Sequence, residues 1–430
     1  MDKKVSIVAT GDCFISRRLG ENKKAVVDIA NKIGSADVRF TNLEVTTHNI
    51  EGYPNAFSGG TWAVAEPGVL DDLLEYNFNL FNCANNHSLD YSEGGLISTI
   101  ENLNKRGMKY AGIGKNLYHA SKPVYMETSS ARVALISATT TFHESWLASE
   151  QRKDIIGRPG VNGIRIKSKY MVDEKAVEVL EELAEALDIN SMHKLNIKEG
   201  FSVKEENECR FGAYKFIPSH KTYQERFSDE RDKKRILDSI KQAKMQSGYV
   251  LLSLHSHEMK GENKNEPADF FCEFARECID AGASAILGHG PHIVRGIEIY
   301  KGCPIFYSLG NFIFQNETVS VQPSEFYEKY NLGSDDHVSR AYEVRNQNGT
   351  VGLGVNKKVW ESVIAEFSFE EDQLIELKLH PIELGFGMPN YRRGWPKLTD
   401  KHKVIEELAK LSECFGTKIE YENGVGVVRI

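Results

Sequence analysis

Several marks of specialised protein classes are missing from this sequence. Its seven cysteines include no Cys-X-X-Cys pair, so it lacks the common signature of a thiolate zinc site or a dithiol redox centre. No run of about 18 apolar residues occurs, which argues against a membrane-spanning helix. Lys and Arg number 53 against 61 Asp and Glu. A protein without a basic excess is not expected to have nucleic acid as its main partner.

The composition is that of a globular protein long enough to bury a hydrophobic core. Of the 430 residues, 41% are hydrophobic and 27% are charged, which is usual for soluble domains. The odd number of cysteines favours reduced thiols over a disulfide framework. Met1–Lys4 leads directly into the apolar segment Val5–Ala9, which is too short for a signal peptide and is typical of a strand. We therefore expect a cytoplasmic protein.

Short apolar segments alternate with amphipathic helical patterns along most of the chain. Val5–Ala9 and Tyr249–Leu254 are predicted as buried strands, and this alternation predicts an α/β layered fold. Residues 143–228 interrupt the pattern, and we interpret them as an insertion over the core that could act as a lid. Residues 1–430 are otherwise predicted to form one domain, with a C-terminal extension from about 316 to 430.

Polar residues of the kinds that bind metals or move protons follow the predicted strands. In open α/β sheets the carboxyl ends of parallel strands converge on one crevice, so these side chains are expected to meet there. Taken singly, each has a simpler structural interpretation, such as a helix cap or a turn residue. Their joint placement predicts one shared site. The residues are Asp12, Glu44, Asn85, Asn86, His87, Asp90, His255, His257, Glu258, His289, His292 and Asn311.

These residue types suit a divalent metal site with a proton donor beside it. Imidazole combined with carboxylate and amide oxygen suits zinc, iron or manganese, and one or two such ions could activate a water. The predicted ligands are Asp12, Glu44, Asn86, His255, His289 and His292. The predicted catalytic residues are His87, acting as a free general acid, together with Asp12, Glu44 and His292.

Other residues are predicted to support this site or to contact the substrate. Trp62 belongs to a long loop, residues 49–66, whose aromatic side chains could hold a peptide, although exposed aromatic residues often serve only for packing. The remaining residues follow the same strands as the ligands. They are Asn85, Asp90, His257, Glu258 and Asn311.

The motifs as a set resemble the CapA family, which is named for poly-gamma-glutamate capsule biosynthesis and is related to the calcineurin-like metallophosphoesterases. They occur in family order over roughly residues 5–315. The resemblance implies a four-layer α/β/β/α sandwich with the site at the edge of the sheets. The segments that carry it are Gly11-Asp12, Asn42-Leu43-Glu44, Ala84–Asp90, His255, Gly288–His292 and Tyr307–Phe312.

The sequence departs from the pattern of the related phosphoesterases in ways that affect metal binding. Phe14 stands where the first motif has a histidine ligand, and Pro291 adds one residue to the last motif. One metal ion, two ions or none therefore all remain open. His255–Glu258 also differs from the capsule members, which are typically membrane-anchored, whereas no anchor is recognised here.

Three kinds of function fit these residues. The first is metal-assisted hydrolysis or transfer on a phosphoester or peptide substrate, with His87 protonating the leaving group. The second is a metal-independent two-base epimerase, of the lasso-peptide epimerase kind, in which Asp12 and His292 flank a Cα–H. The third is a non-catalytic binding protein on the same fold. The oligomeric state is not predicted.

Overall fold

The computed structural model describes residues 4–20, 23–204 and 209–430. These residues form two compact units, Met1–Ile164 with Arg231–Ile430, and Arg165–Glu230. The strands are β1 (Lys4–Phe14), β2 (Val38–Leu43), β3 (Thr46–Thr47), β4 (Val64–Ala65), β5 (Leu80–Asn82), β6 (Lys109–Ala111), β7 (Ile113–Gly114), β8 (Val124–Glu127), β9 (Arg132–Thr139), β10 (Gly160–Val161), β11 (Ile166–Val172), β12 (Cys209–Phe211), β13 (Tyr214–Pro218), β14 (Tyr223–Ser228), β15 (Tyr249–His255), β16 (Met259–Lys260), β17 (Asn263–Pro267), β18 (Ala285–His289), β19 (Ile297–Tyr300), β20 (Cys303–Phe306), β21 (Asn311–Phe314), β22 (Glu361–Glu370), β23 (Gln373–Glu383), β24 (Lys397–Leu398), β25 (Ile419–Glu422) and β26 (Val425–Val428). The helices are α1 (Lys23–Gly34), α2 (Val69–Glu75), α3 (Ser92–Lys105), α4 (Leu117–Ser121), α5 (Glu174–Ala186), α6 (Ser191–Lys198), α7 (Glu230–Lys244), α8 (Asp269–Asp280), α9 (Ser324–Glu328), α10 (Val338–Arg345) and α11 (Lys403–Ser412).

The first large sheet has the order β25-β26-β23-β22-β1-β2-β5-β6, and β21 and β24 pair with β1 and β23. β1, β2, β5 and β6 run parallel, whereas β22 pairs antiparallel with β1. The residues predicted as a C-terminal extension thus contribute strands to the same sheet as the N-terminus. The strand predicted at Val5–Ala9 continues to Phe14 past a shift in register between Ala9 and Asp12.

The second large sheet has the order β19-β20-β18-β15-β9-β8, and its central strands are parallel. Its inner face shares one hydrophobic core with the inner face of the first sheet. Leu135 and Leu251 of the second sheet lie in this core beside Ile7 and Phe40 of the first. Strands that are buried on both faces read as continuous apolar runs, which is why Tyr249–Leu254 could be predicted as a strand.

Helices cover the outer surfaces of both sheets. Helices α1, α2 and α3 pack into a core that also holds outward-facing residues of the first sheet, such as Val8 and Phe81. Helix α8 buries Phe270, Phe271 and Phe274, and each buried phenylalanine contributes roughly 2–3 kcal/mol. The parallel strands and their covering helices confirm the predicted α/β class.

Residues 165–230 form a separate unit with its own sheet, in the order β12-β13-β11-β14. The amphipathic pattern predicted a helix near Val172–Leu187, and α5 confirms it. Asp173 caps this helix by accepting a hydrogen bond from the Ala176 amide at 2.9 Å, as expected of an N-cap aspartate. The small strands were missed because their polar sequences lack the apolar run of a core strand. The lid role of residues 143–228 stays a prediction.

No helix in the described part of the chain is both long enough and apolar enough to cross a membrane.

A contact between Glu366 of β22 and His380 of β23 makes stability depend on pH. Glu366 accepts a hydrogen bond from His380 Nε2 at 2.6 Å, and this contact, despite partial burial, lowers the pKa of Glu366 from 4.5 to about 2. A depressed carboxyl pKa stabilises the fold above pH 4.5, and the contribution is lost as pH falls from 4.5 toward 2. We expect E366Q to lower the free energy of unfolding by about 1 kcal/mol at pH 6, after allowance for solvent screening, and to leave it almost unchanged near pH 2. Urea unfolding of both proteins across this pH range measures the difference. An equal loss of unfolding free energy at pH 6 and pH 2 would contradict the role given to the contact between Glu366 and His380.

Candidate metal centre

The predicted site residues converge where strands of both large sheets end. Asp12 lies in β1 opposite Asn42 of β2. His255 and His289 are the last residues of β15 and β18 and lie opposite each other in the second sheet. The carboxyl ends of parallel strands thus bring together ligand-type side chains from both sheets, as expected from the strand-end pattern. Asn311, the first residue of β21, pairs with Asp12 from the other side of β1.

One group of potential ligands consists of Asp12, His255 and His289, all fully buried. Asp12 Oδ1 lies 3.6 Å from His289 Nδ1 and 4.0 Å from His255 Nδ1. The two imidazole Nδ1 atoms are 2.9 Å apart. Ser253 Oγ lies 2.6 Å from His289 Nε2, which orients the ring so that Nδ1 faces the other two residues.

A second group consists of Glu44, His257 and His292. Glu44 Oε2 lies 3.9 Å from His292 Nδ1, and Glu44 Oε1 lies 3.8 Å from His255 Nε2. His255 therefore faces the first group through Nδ1 and the second group through Nε2. His257 was predicted only as a supporting residue, yet its Nε2 lies 3.1 Å from His255 Nε2, and the structure places it with the potential ligands.

The carboxylate of Glu44 is fully buried, and neither oxygen has a hydrogen-bond partner among the described residues. Burial, reinforced by the charges of Asp12 and Asp90, raises the pKa of Glu44 well above its ordinary value. Buried carboxylates are usually paired, hydrogen-bonded or bound to a metal. Two free oxygens facing imidazole nitrogens form the donor set that a divalent cation requires. The residues present therefore fit a metal ion.

Three histidines of this cluster, His255, His257 and His289, are held in the neutral form that binds metals. Burial lowers the pKa of His289 to about 4 and lowers the pKa values of His255 and His257 well below their ordinary range. For Asp12, burial acts to raise the pKa, but the hydrogen bond and charge of His292 lower it overall. A carboxylate that stays ionised beside neutral imidazoles favours cation binding.

The turn that carries His289 and His292 is held in an uncommon backbone conformation. Gly290 has φ 121° and His292 has φ 59°, and a left-handed conformation is uncommon for a residue with a side chain. Strain of this kind persists where surrounding contacts hold it, often at functional sites. Asn311 Oδ1 lies 2.9 Å from His292 Nδ1, and its Nδ2 donates to the His292 carbonyl at 3.2 Å. The structure thus brings Asn311 into contact with His292, and its supporting role stays a prediction.

His87 forms a pair with Asp90 beside the cluster. Its Nδ1 lies 2.6 Å from Asp90 Oδ2, and both side chains are buried. Asp90 also accepts the Ala63 amide at 2.6 Å. A carboxylate on Nδ1 fixes the imidazole so that Nε2 is the nitrogen that exchanges protons. The neighbouring Asn86 places Oδ1 2.8 Å from His255 Nε2, so it lies beside the histidine cluster, and its role as a metal ligand stays a prediction.

The remaining predicted residues have structural partners. Asn85 accepts the His87 amide at 3.0 Å and donates to the Leu43 carbonyl at 2.7 Å. Glu258 Oε2 accepts hydrogen bonds from three hydroxyl groups. Trp62 is packed in the core, and its indole donates to the Asn55 carbonyl at 2.7 Å. Its predicted contact with substrate stays untested.

Gly59 approaches the site closely, and no sequence signal indicated it. A Cβ at this position would lie 2.6 Å from His87 Cε1 and would also collide with the Asn86 amide. We expect G59A to displace both side chains and to weaken Mn²⁺ binding about tenfold, measured by calorimetric titration. G60A is the matched control, because Gly60 has φ 116° but no atom near its Cβ direction. That variant is expected to lose about 1 kcal/mol of stability and to keep its metal affinity; equal affinities for the two variants would contradict this assignment.

Comparison with known proteins agrees with this architecture. The model of the family "Bacterial capsule synthesis protein PGA_cap" matches residues 6–316. The uncharacterized proteins y4sH and y4uA of Sinorhizobium fredii are each 34% identical over 99% of this chain and 93% of their own length. PGA biosynthesis protein CapA of Bacillus subtilis is 25% identical over 56% of this chain and 44% of its own length. Capsule biosynthesis protein CapA of Bacillus anthracis is 25% identical over 58% and 43%. The resemblance noted from the motifs is thereby confirmed, and the chain belongs to the bacterial capsule synthesis protein family of PGA_cap and CapA proteins.

Proposed function

We propose that this protein is a metal-assisted hydrolase or transferase that acts on a phosphoester or peptide amide bond. Its cellular role would be an accessory step in biosynthesis of the capsule type for which its CapA relatives are named. The observation that carries the proposal is the buried Glu44 carboxylate, which lacks any hydrogen-bond partner among the described residues and faces the histidine cluster. We also infer the four-layer α/β/β/α sandwich, because two sheets share a core and helices cover their outer faces.

The residues that would hold the ion fall into the two groups described above. Asp12, His255 and His289 form one, and Glu44, His257 and His292 form the other. A divalent cation bound there would supply positive charge to stabilise the attacked oxygen and to lower the pKa of water. The strand ends hold these side chains rigidly, so little reorganisation accompanies the reaction.

His87 is placed to deliver the proton that the leaving group needs. Its Nδ1 is tied to Asp90 at 2.6 Å, which leaves Nε2 to donate. Asp90 would stabilise the imidazolium before transfer and keep the ring oriented afterwards. General acid catalysis of this kind typically contributes 10²–10⁴-fold to the rate. Removal of His87 should therefore lower kcat without abolishing metal binding.

Purified protein tests this proposal directly. Metal content is measured first, and hydrolysis of p-nitrophenyl phosphate, bis(p-nitrophenyl) phosphate and peptide p-nitroanilides is then followed before and after chelation. We expect chelation to abolish turnover, Mn²⁺ to restore it, and H87A to lower kcat at least 100-fold with metal content unchanged. Full turnover by metal-free protein, or no turnover on any of these bonds, would contradict the proposal.

The two-base epimerase receives no support from the site geometry. Asp12 Oδ2 lies 3.5 Å from His292 Nδ1, so the two groups contact each other and do not flank a space in which a Cα could lie. Asp12 is also fully buried. Incorporation of deuterium from heavy water at a peptide Cα would nevertheless be a direct sign of epimerisation, and the peptide p-nitroanilides allow that measurement.

A further inference from the structure

Arg295 is a fully buried cation that the proposed chemistry leaves unused. It follows His292 by three residues, and its side chain has no solvent exposure. Its Nε donates to the Lys264 carbonyl at 3.0 Å. Its Nη1 and Nη2 have no hydrogen-bond partner among the described residues. A buried guanidinium with two unsatisfied donors is costly unless something supplies acceptors.

Lys264 is a second cationic residue, and its backbone carbonyl contacts Arg295. It lies in β17, part of the short hairpin that follows His257 along the chain, and it is half-buried. Burial and the charge of Arg295 lower the pKa of Lys264, whereas the charge of Asp12 acts to raise it. The Lys264 charge also acts on His257. The two residues are thus neighbours through the Lys264 carbonyl and Arg295 Nε, and Arg295 follows the potential ligand His292 by three residues.

No carboxylate in the described structure pairs with either cation within 4 Å. The charge of Glu258 reaches Arg295, but Oε2 of Glu258 already accepts hydrogen bonds from Thr140, Thr141 and Ser256. Two adjacent like charges without an ion-pair partner destabilise a fold. An oxyanion from outside the protein would satisfy both, because the two Nη groups of a guanidinium match the paired oxygens of phosphate or carboxylate.

We propose that Lys264 and Arg295 form an anion subsite that binds a phosphate or carboxylate group of the substrate beside the candidate metal centre. This inference rests on the proposed function for the identity of the bound molecule as a substrate. It adds that the substrate carries an oxyanion next to the bond that is broken. Lys264 would contribute a half-buried ammonium group, and Arg295 would contribute its buried Nη1 and Nη2 groups.

Anion binding by chelated protein tests the subsite without any catalytic readout. Inorganic phosphate and glutarate are titrated calorimetrically into wild type, K264M and R295K. We expect K264M and R295K to weaken binding of the preferred anion at least tenfold, and the tighter of the two probes identifies the oxyanion. K264M keeps most of the aliphatic stem, so it tests the charge even if R295K does not fold.

K260M is the matched control, because Lys260 lies on the same hairpin but is exposed and pairs with Asp269 at 3.0 Å. It should bind within twofold of wild type. Equal anion affinity of K264M and K260M, or no binding of either probe by the wild type, would overturn the subsite. If binding depends on Lys264 while no p-nitrophenyl ester or anilide is cleaved, the subsite stands and the proposed function fails. If a p-nitrophenyl ester or anilide is cleaved while anion binding does not depend on Lys264, the proposed function stands and the subsite fails.

Discussion

Replacing Glu44 with glutamine is expected to lower Mn²⁺ affinity at least 100-fold while leaving the metal-free fold intact. Replacing a carboxylate ligand by its amide is expected to lower metal affinity strongly. Even the residues that only orient ligands contribute 10–100-fold to that affinity. Because both oxygens of Glu44 lack a partner, the substitution breaks no hydrogen bond. We expect the free energy of unfolding of the chelated protein to change by less than about 1 kcal/mol. Calorimetric Mn²⁺ titration and urea unfolding in chelator measure the two quantities.

Glu258 provides the matched control for this result. It lies near the same histidines, but its Oε2 is hydrogen-bonded to Thr140, Thr141 and Ser256. E258Q is therefore expected to lose about 1–3 kcal/mol of stability and to keep Mn²⁺ affinity within a few-fold. A large stability loss in E44Q with unchanged metal affinity would show that Glu44 is a structural residue, and the proposed metal centre would then be wrong.

Much of the site could be predicted because its residues follow strong strand signals. Tyr249–Leu254 is apolar apart from Ser253, so the position of His255 at a strand end followed directly. The pairing of His255 with His289 across β15 and β18 could not be predicted, because register depends on tertiary contacts. His257 lies beyond the end of β15, where no period fixes the direction of a side chain. Its place among the potential ligands is a result of the turn alone.

Other functional candidates carried no pattern in the sequence. Gly59 and Lys264 are single residues in segments without a motif, and only the folded chain brings them to the site or close to it. Arg295 stands out only because its Nη1 and Nη2 are buried without a partner among the described residues. Sequence periodicity reports which face of an element is apolar, and it does not report which polar groups remain unsatisfied. Residues 143–228 were predicted as an insertion, but the small sheet within residues 165–230 was not, since its strands bury too little to show an apolar pattern.

Replacing Phe14 with histidine is expected to make stability strongly dependent on metal. Phe14 is buried and packs edge-on against His87 at 5.1 Å and Phe314 at 6.1 Å. It stands where the related phosphoesterases have a histidine ligand. Without metal, F14H should lower the free energy of unfolding by about 2–4 kcal/mol, because it removes aromatic packing and buries an unpaired imidazole. With Mn²⁺ at 100 times its dissociation constant, binding to the folded state should raise the free energy of unfolding by about 2.7 kcal/mol. Thermal unfolding with Mn²⁺ or chelator, together with metal stoichiometry, measures both effects.

F14L separates the new nitrogen from the lost ring. Leucine also loses the ring contacts with His87 and Phe314, but it offers no ligand atom. Without metal, F14L should therefore lose stability through the same loss of packing as F14H. Its response to Mn²⁺ should match that of the wild type, whereas F14H should bind additional metal. If F14H and F14L respond identically to Mn²⁺, position 14 does not face the metal centre. In that case the phenylalanine has no bearing on how many ions the site holds, and the number would depend on Glu44 and the histidines alone.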